Sequence, residues 1–301
     1  GQLGFDPASL SVTLGGTPLD PASYSVTTLD LNGDGRADRI ELRFASLTVP
    51  GAEDPAAFPL VIRYTATALD LPQNSSGDQL DLPASLTYAT ATGPVTPINA
   101  SASTDLVEPE LVVAKSVVPV VAEAGVLVGY EVVLRNLGAG PGYGFALTDV
   151  AAPGLLPEGP ATLVIGGVST SFASVNDVTL ARLLPGESAT VTYAARVADS
   201  VLVGTVLPNI VSTGFGSLPG GAPGERVYAP VSDSAEVTLV PSTTATLVKA
   251  IPVPPTSNPD TGDSAVRPGI TDLAIGEQAE VTLTAVLPRG TVAGVLLTDD
   301  L

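Results

Sequence analysis

Apolar residues in this chain recur at every second position or in short blocks, and the blocks are closed by Gly, Pro, Asn and Asp. That period belongs to a strand, whose side chains alternate between two faces; no stretch holds the 3.6-residue period of an amphipathic helix. The apolar residues are chiefly Val, Leu, Ala and Ile, with abundant Thr. Branching at Cβ suits the pleated surface of a sheet. With 31 Gly and 28 Pro in 301 residues, turn formers are plentiful. The pattern predicts strands over 9–14, 24–29, 39–44, 60–66, 84–89, 111–118, 127–136, 145–149, 161–165, 189–197, 235–240, 245–251, 279–286 and 295–298. Short strands at this spacing with turn residues between them imply an all-β chain of tandem immunoglobulin-like β-sandwiches.

Composition narrows the function classes. Hydrophobic residues are 45% of the chain, ample for packed cores, while aromatic residues are only 4%. There is no Cys, so no disulfide holds the fold, and there is no His. The common catalytic triads and most transition-metal sites need one or the other, so the chain is not expected to be an enzyme. A net charge of −19 repels nucleic acid and anionic lipid and favours divalent cations. The most apolar stretch, 111–134, is interrupted by Lys115, Pro119, Glu123 and Glu131, which argues against a membrane span in this segment. The chain begins at Gly1 and contains no Met, so it is expected to be a processed product or a piece of something longer.

Internal repeats set the organisation. Leu111-Val-Val-Ala-Lys115-Ser-Val-Val-Pro119 corresponds to Thr246-Leu-Val-Lys249-Ala-Ile-Pro252. Gly-led strands follow each, from Gly125 and from Gly276-Glu277, and each unit then reaches a similar ending, Gly144-Phe-Ala-Leu-Thr148-Asp149 and Gly294-Val-Leu-Leu-Thr298-Asp299. After Asp149 the first copy continues through Ala152-Pro-Gly-Leu-Leu156 to Ala161-Thr-Leu-Val-Ile165, and the residues from Leu3 to Leu14 fit that slot. The chain therefore divides into 1–105, the later part of a split sandwich; 106–241, a complete sandwich; and 242–301, the earlier part of the next split sandwich. Reading Leu301 into Gly1 gives a plausible join. The expected partners are copies of the chain itself, head to tail, in a covalent array or a polymer. The stretch 252–259 reads as linker.

The middle unit carries Lys115 on its opening strand, Asn136-Leu-Gly138 closing the Gly-led strand, Thr148-Asp149, Leu184-Pro-Gly186-Glu187, and Gly204 leading to Asn209. In these features it resembles the bacterial surface "conserved repeat domain" family, domain of unknown function eleven. The split unit keeps Lys249, Gly276-Glu277 and Thr298-Asp299, but has Pro288 where the Asn-x-Gly falls. The resemblance implies immunoglobulin-like sandwiches in tandem on cell surfaces and no particular activity.

Two constellations carry chemistry. Asp30-Leu-Asn32-Gly-Asp34-Gly-Arg36-Ala-Asp38-Arg-Ile-Glu41 fits the twelve-position calcium loop, with oxygen donors at alternate positions, Gly at the sixth and Glu at the twelfth. Asp30, Asn32 and Asp34 offer side-chain oxygens, Arg36 its carbonyl, and Asp38 a direct or water-mediated oxygen. The flanks alternate like strands, so the loop is expected in a β-hairpin, and Glu41 is the ligand that a strand would aim elsewhere. Calcium would stiffen the unit, since an ion that binds only the folded state stabilises it by mass action. The second constellation is the pair of lysines, Lys115 and Lys249, the only two in the chain and equivalent in the repeats. A buried lysine beside a carboxylate and an Asn can form an internal isopeptide bond, because burial keeps the amine neutral and nucleophilic. In the middle unit the partners would be Asn209 with Asp149 or Glu131. The simpler role for each lysine is an ion pair, or protection of an edge strand.

These readings favour a structural repeat of an extracellular, cell-surface fibre, sheath or surface layer. The alternative is a stalk or ligand-binding region of an adhesin for glycan or protein. Aromatic anchors usually mark a binding module, and with 7 Tyr, 6 Phe and no Trp the balance favours scaffold.

Overall fold

The computed structural model describes residues 2–49, 54, 56, 58–251, 264, 267–268, 272–276 and 278–300. The join of Leu301 to Gly1, Glu277, Pro252 and the 252–259 linker lie outside them. Among the described residues there is no α-helix, and strands dominate throughout.

The first segment contains β1 (Leu3–Leu14), β2 (Thr17–Pro18), β3 (Tyr24–Leu29), β4 (Arg39–Phe44), β5 (Leu60–Ala68), β6 (Gln79–Leu86), β7 (Ala89–Thr90), β8 (Gly93–Pro94) and β9 (Ile98–Asp105). They form a three-stranded sheet, β2-β1-β5, and the separate antiparallel pairs β3–β4, β6–β9 and β7–β8. Between Leu14 and Thr17 the chain reverses through Gly15 and Gly16, both at positive φ, 58° and 79°. Side chains with a Cβ avoid that region, and two such residues in succession make the tight hairpin that matches strand twist. Among the described apolar residues of this segment only Val12, Leu71 and Leu80 are buried.

The middle segment is a closed sandwich. It comprises β10 (Leu111–Val118), β11 (Val121–Ala122), β12 (Leu127–Asn136), β13 (Gly142–Ala151), β14 (Leu155–Ile165), β15 (Val168–Phe172), β16 (Thr179–Leu183), β17 (Ser188–Val197), β18 (Val206–Gly216) and β19 (Val227–Leu239). One sheet runs β10-β12-β17-β14-β15 and the other β11-β19-β18-β13-β16. Alternation sends Val128, Tyr130, Val132 and Leu134 of β12 inward against Phe145 and Leu147 of β13 and Leu207 and Val211 of β18. The buried core lies entirely between Leu111 and Leu239. Phe145, Phe215 and Tyr228 stack in series, with centroids 5.9 and 4.8 Å apart.

The last segment contributes β20 (Thr246–Ala250) and β21 (Thr282–Val286), which among the described residues form a two-stranded sheet. No apolar side chain between 242 and 300 is buried among the described residues.

Three expectations differ from the structure. The alternation predicts no strand over the central β18, which Pro208 and Asn209 interrupt; Asn209 fills a core position of that strand. The strand expected over 84–89 lies earlier, at Gln79–Leu86. Residues 295–298 belong to no sheet, since no strand among the described residues lies alongside to bond their backbone.

Candidate functional site

The inward faces of the middle sandwich bring four polar side chains together at the centre of an apolar core. Lys115 comes from β10 and Tyr193 from β17 of one sheet; Asp149 comes from β13 and Asn209 from β18 of the other. Each sits at an inward position of its strand, as the alternating burial shows. The Lys115 ammonium bonds the Asp149 carboxylate, and their side chains are 0% and 1% exposed. The Tyr193 hydroxyl donates to the same carboxylate oxygen at 2.8 Å, and the Asn209 amide donates to the Tyr193 hydroxyl at 3.1 Å. Lys115 Nζ also lies 5.1 Å from the Tyr130 ring centre and 5.5 Å from that of Tyr193, and the two rings stack 5.2 Å apart. The cluster thus ties one sheet to the other with charge, hydrogen bonds and ring faces.

Two buried atoms of this cluster make no hydrogen bond of ordinary geometry: the Asn209 carbonyl oxygen and the Tyr130 hydroxyl. Both are polar groups in a dry core, where an unmet partner is costly. Burial draws the Lys115 ammonium below its usual range, against the opposing pull of Asp149 and Asp233. Burial also pushes the Tyr130 phenol up to about 12. Tyr193 is driven up as well, by burial and then by the Asp149 charge. The Asp149 backbone is fixed from outside by Asn176, which accepts from its N–H at 2.6 Å and donates to its carbonyl at 3.3 Å.

Glu131, the other carboxylate considered for Lys115, is outside the cluster. It falls between the inward residues Tyr130 and Val132 and points to the exposed face. Lys249 repeats the pairing of Lys115, bonding Asp299 at 2.5 Å, but these side chains are 43% and 28% exposed. In the first segment the residue that corresponds to Asn209 is Leu82. Gly77 precedes Leu82 as Gly204 precedes Asn209, with φ of 90° and 91°. Gly77 N–H bonds the Leu106 carbonyl just as Gly204 N–H bonds that of Leu239. Tyr193 and Tyr130 were not singled out from the sequence. The signal available was their place in the inward phase of two strongly alternating strands.

The Asn-x-Gly and Pro-Gly-Glu motifs form a second junction. Asn136 is 1% exposed; its amide donates to the Gly140 and Leu183 carbonyls at 2.8 and 3.1 Å, and its oxygen accepts from Glu110 and Gly138 N–H at 3.1 and 3.0 Å. Its backbone meets the Pro-Gly-Glu turn: Asn136 N–H bonds the Glu187 carbonyl, and Gly186 N–H bonds the Asn136 carbonyl. A Cβ at Gly138 would run into the backbone of Glu108, Pro109 and Glu110. Asn-x-Gly and Pro-Gly-Glu are therefore parts of one corner, and their role there is architectural.

The loop between β3 and β4 is a hairpin connection with Gly33 and Gly35 at φ 77° and 83°. Its acidic side chains turn toward its own amides. Asp30 accepts from Gly33 and Gly35 N–H at 2.7 and 2.8 Å, Asp38 from Leu31 and Asn32 at 2.8 and 3.2 Å, and Asn32 from Asp34 at 3.0 Å. The Arg36 N–H, 2.9 Å from Asp34, holds that carboxyl below its ordinary range. Glu41 is not with them: it stands on β4 opposite Thr27, and its carboxylate bonds Arg43 at 2.8 Å, with Arg39 at 3.9 Å. Among the described residues no three acidic side chains converge on one point in a way that would hold an ion.

No protein-family model matches the chain, and no curated protein does. Solved structures align with it in part. They include the major pilin subunit BcpA of Bacillus cereus, in a variant form, at 12% identity over 96% of this chain and 82% of that one, with a TM-score of 0.37. Another is the pilus backbone protein RrgB of Streptococcus pneumoniae, at 15% identity over 44% of this chain and 47% of that one, with a TM-score of 0.29. AvmM, whose structure is described as catalysing macrocyclisation in alchivemycin A biosynthesis, aligns at 13% identity over 44% and 91%, with a TM-score of 0.30. The chain thus spans about half the length of RrgB, and likenesses at these identities and scores extend to the fold alone.

Proposed function

We propose that this chain is a structural repeat unit of an extracellular fibre, sheath or surface layer, with one complete sandwich set between two parts of another. The observation that carries this reading is the distribution of burial. A closed core occupies 111–239, whereas the flanking segments have the strand pairings of its two parts and almost no buried apolar side chains among the described residues. A unit of this design transmits load through sheets that run the length of each domain.

We propose further that Lys115 and Asn209 become joined by an isopeptide bond across the core. The neutral Lys115 amine attacks Cγ of Asn209. The bond from Cγ to Nδ2 breaks, and Asp149 takes a proton from the attacking nitrogen and returns it to the departing one. Ammonia leaves and the Asp149 carboxylate is unchanged. Support comes from the shared burial of the three groups and from the depressed Lys115 ammonium. The split unit has Leu82 in place of Asn209, so no such bond forms there.

The loop of Asp30, Asn32, Asp34 and Asp38 is proposed to take calcium, with the Arg36 carbonyl as a further ligand and without Glu41. The donor set is all oxygen, as a hard cation requires, and each carboxylate retains lone pairs beyond those given to the loop amides. The ion would act as a clamp on the hairpin.

The intact mass of native material after full denaturation tests the whole reading. Single units weigh 30.1 kDa, and an array weighs a multiple of a repeat. In either case each isopeptide bond lowers the mass by one ammonia; an unreduced mass removes the bond from the account. Reproducible, specific hits on a glycan array would replace the scaffold with an adhesin.

A further inference from the structure

The two flanking segments are complementary in register, strand by strand. The turn Leu14-Gly-Gly-Thr17 matches Ile165-Gly-Gly-Val168, with φ of 58° and 79° against 55° and 80°. β1 pairs β5 as β14 pairs β17, Leu14 opposite Leu60 and Ile165 opposite Ala189, and both pairs are broken by an irregularity at the same place, after Asp6 and after Glu158. This alignment sets Ile62 and Tyr64 on Val191 and Tyr193. Likewise β20 pairs β21 as β10 pairs β12: Lys249 faces Leu283 where Lys115 faces Val132, so Val281 stands for Tyr130. Gly294, at φ 67°, stands for Gly144, at φ 70°.

What each flank lacks is what the other has. In the complete sandwich β17 is covered on its second edge by β12, and β13 lies between β18 and β16. Among the described residues, β5 and β6 of the first segment each have one edge without a paired strand. The counterparts of β12 and β13 are β21 and residues 294–300. Their apolar faces are bare on both sides of this missing contact. Ile62 and Tyr64 are 37% and 50% exposed, against 0% and 7% for Val191 and Tyr193. Val281 and Leu297 are 37% and 54% exposed, against 2% and 3% for Tyr130 and Leu147.

We infer that β20, β21 and residues 294–300 of one copy are a strand donor to the sheets of β1, β2, β5, β6 and β9 in a second copy, engaging it at two places. β21 extends the β5-β1-β2 sheet along the free edge of β5, with Thr284 opposite Val61 and Leu283 opposite Ile62. Residues 294–300 add to the free edge of β6, which places Leu297 opposite Leu86, as Leu147 lies opposite Thr213. The join encloses a shared version of the buried cluster, with Lys249 and Asp299 from the donor and Tyr64 from the acceptor. Leu82 replaces the Asn, so this joint holds by packing and charge alone. The inference rests on the repeat-unit reading above and adds the partner and the register.

The chain has no Cys, so introduced thiols are the only ones. One preparation carrying Val61→Cys is mixed with a second, differently tagged, carrying Thr284→Cys, and the mixture is oxidised gently. A mixed disulfide dimer is the expected product. Ile62→Cys, whose side chain lies on the other face of β5, is expected to give at least about tenfold less with the same partner. Leu297→Asp in the donor, which leaves the complete sandwich untouched, is expected to lower the yield to a similar degree. Absence of the mixed dimer, or equal yields from positions 61 and 62, overturns the inference. So does an intrachain disulfide in a monomer carrying both Val61→Cys and Thr284→Cys. If the mixed dimer forms but micrographs show closed particles rather than linear ones, the strand exchange stands and the fibre reading fails.

Discussion

Removing one carboxylate, by Asp149→Ala, exposes what the buried cluster contributes. The change leaves the Lys115 amine in a site that is 0% exposed, without its bonded counter-charge and with only the pull of Asp233, and deprives the Tyr193 hydroxyl of its acceptor. Breaking a buried pair in this way costs about 3–5 kcal/mol. The upper end is bounded by an escape route. Lysine can enter the core neutral, and giving up its proton at neutral pH costs about 1.4 kcal/mol for each unit below its unfolded value near 10.4, about 4.6 kcal/mol in all. That route fixes the sign of the pH effect. A lysine with a depressed folded pKa binds fewer protons in the folded state than in the unfolded one, so stability rises with pH until the unfolded lysine also deprotonates. The deficit of the variant should therefore shrink between pH 7 and 10, by up to about 1.4 kcal/mol per unit. Urea unfolding followed by far-ultraviolet dichroism measures it, with the emission of the seven tyrosines as a second probe, since Trp is absent. Lys115→Met with Asp149→Leu, which removes both charges and keeps apolar volume, should return most of the loss. The mass of each sample establishes whether the isopeptide bond formed. A deficit under about 1 kcal/mol, or one that ignores pH, refutes the picture of a dry, compensated charge.

Alkaline conditions probe the same site from the phenols. The folded values of Tyr130 and Tyr193 lie above the unfolded value near 10, so their stabilisation is complete below that pH and is lost as pH rises through the folded values. Tyr130, pushed to about 12, should cost about 1.4 kcal/mol of stability per unit between pH 10 and 12, with phenolate absorbance from the cluster appearing only on unfolding. Asn136→Ala orphans buried backbone groups at the corner and should cost more than about 3 kcal/mol in the same unfolding assay. Gly138→Ala should be comparably damaging, because the added methyl meets backbone that has nowhere to go. Calcium at a hundred times its dissociation constant should stabilise the first segment by about 2.7 kcal/mol, and Asp30→Ala should abolish that gain; calorimetry with and without chelator that shows no difference removes the ion from the account.

The fold class was legible because period-two alternation is a local signal, and β3, β4, β10 and β12 fall where it placed them. The partners of Lys115 were legible only as a set, since Asp149 and Glu131 both lie on strands. Which of them faces the lysine depends on the phase of the pleat, and Glu131 is one residue out of phase with the core. Strand β18 was hidden by Pro208 and Asn209, residues that usually mark turns; here Asn209 is drawn into the core by Tyr193. Glu41 fits a twelve-residue spacing in sequence, but on a strand its carboxylate shares a face with Arg39 and Arg43, which claim it. The repeat relationship was visible in short motifs. That the flanking segments are bare of core could be learned only from the sheets they do and do not form.

Electron micrographs of the chain across a range of concentrations test the central claim most directly. The account predicts thin, unbranched rods that lengthen with concentration and show a regular spacing of one repeat. Isolated compact particles of constant size at every concentration would contradict it.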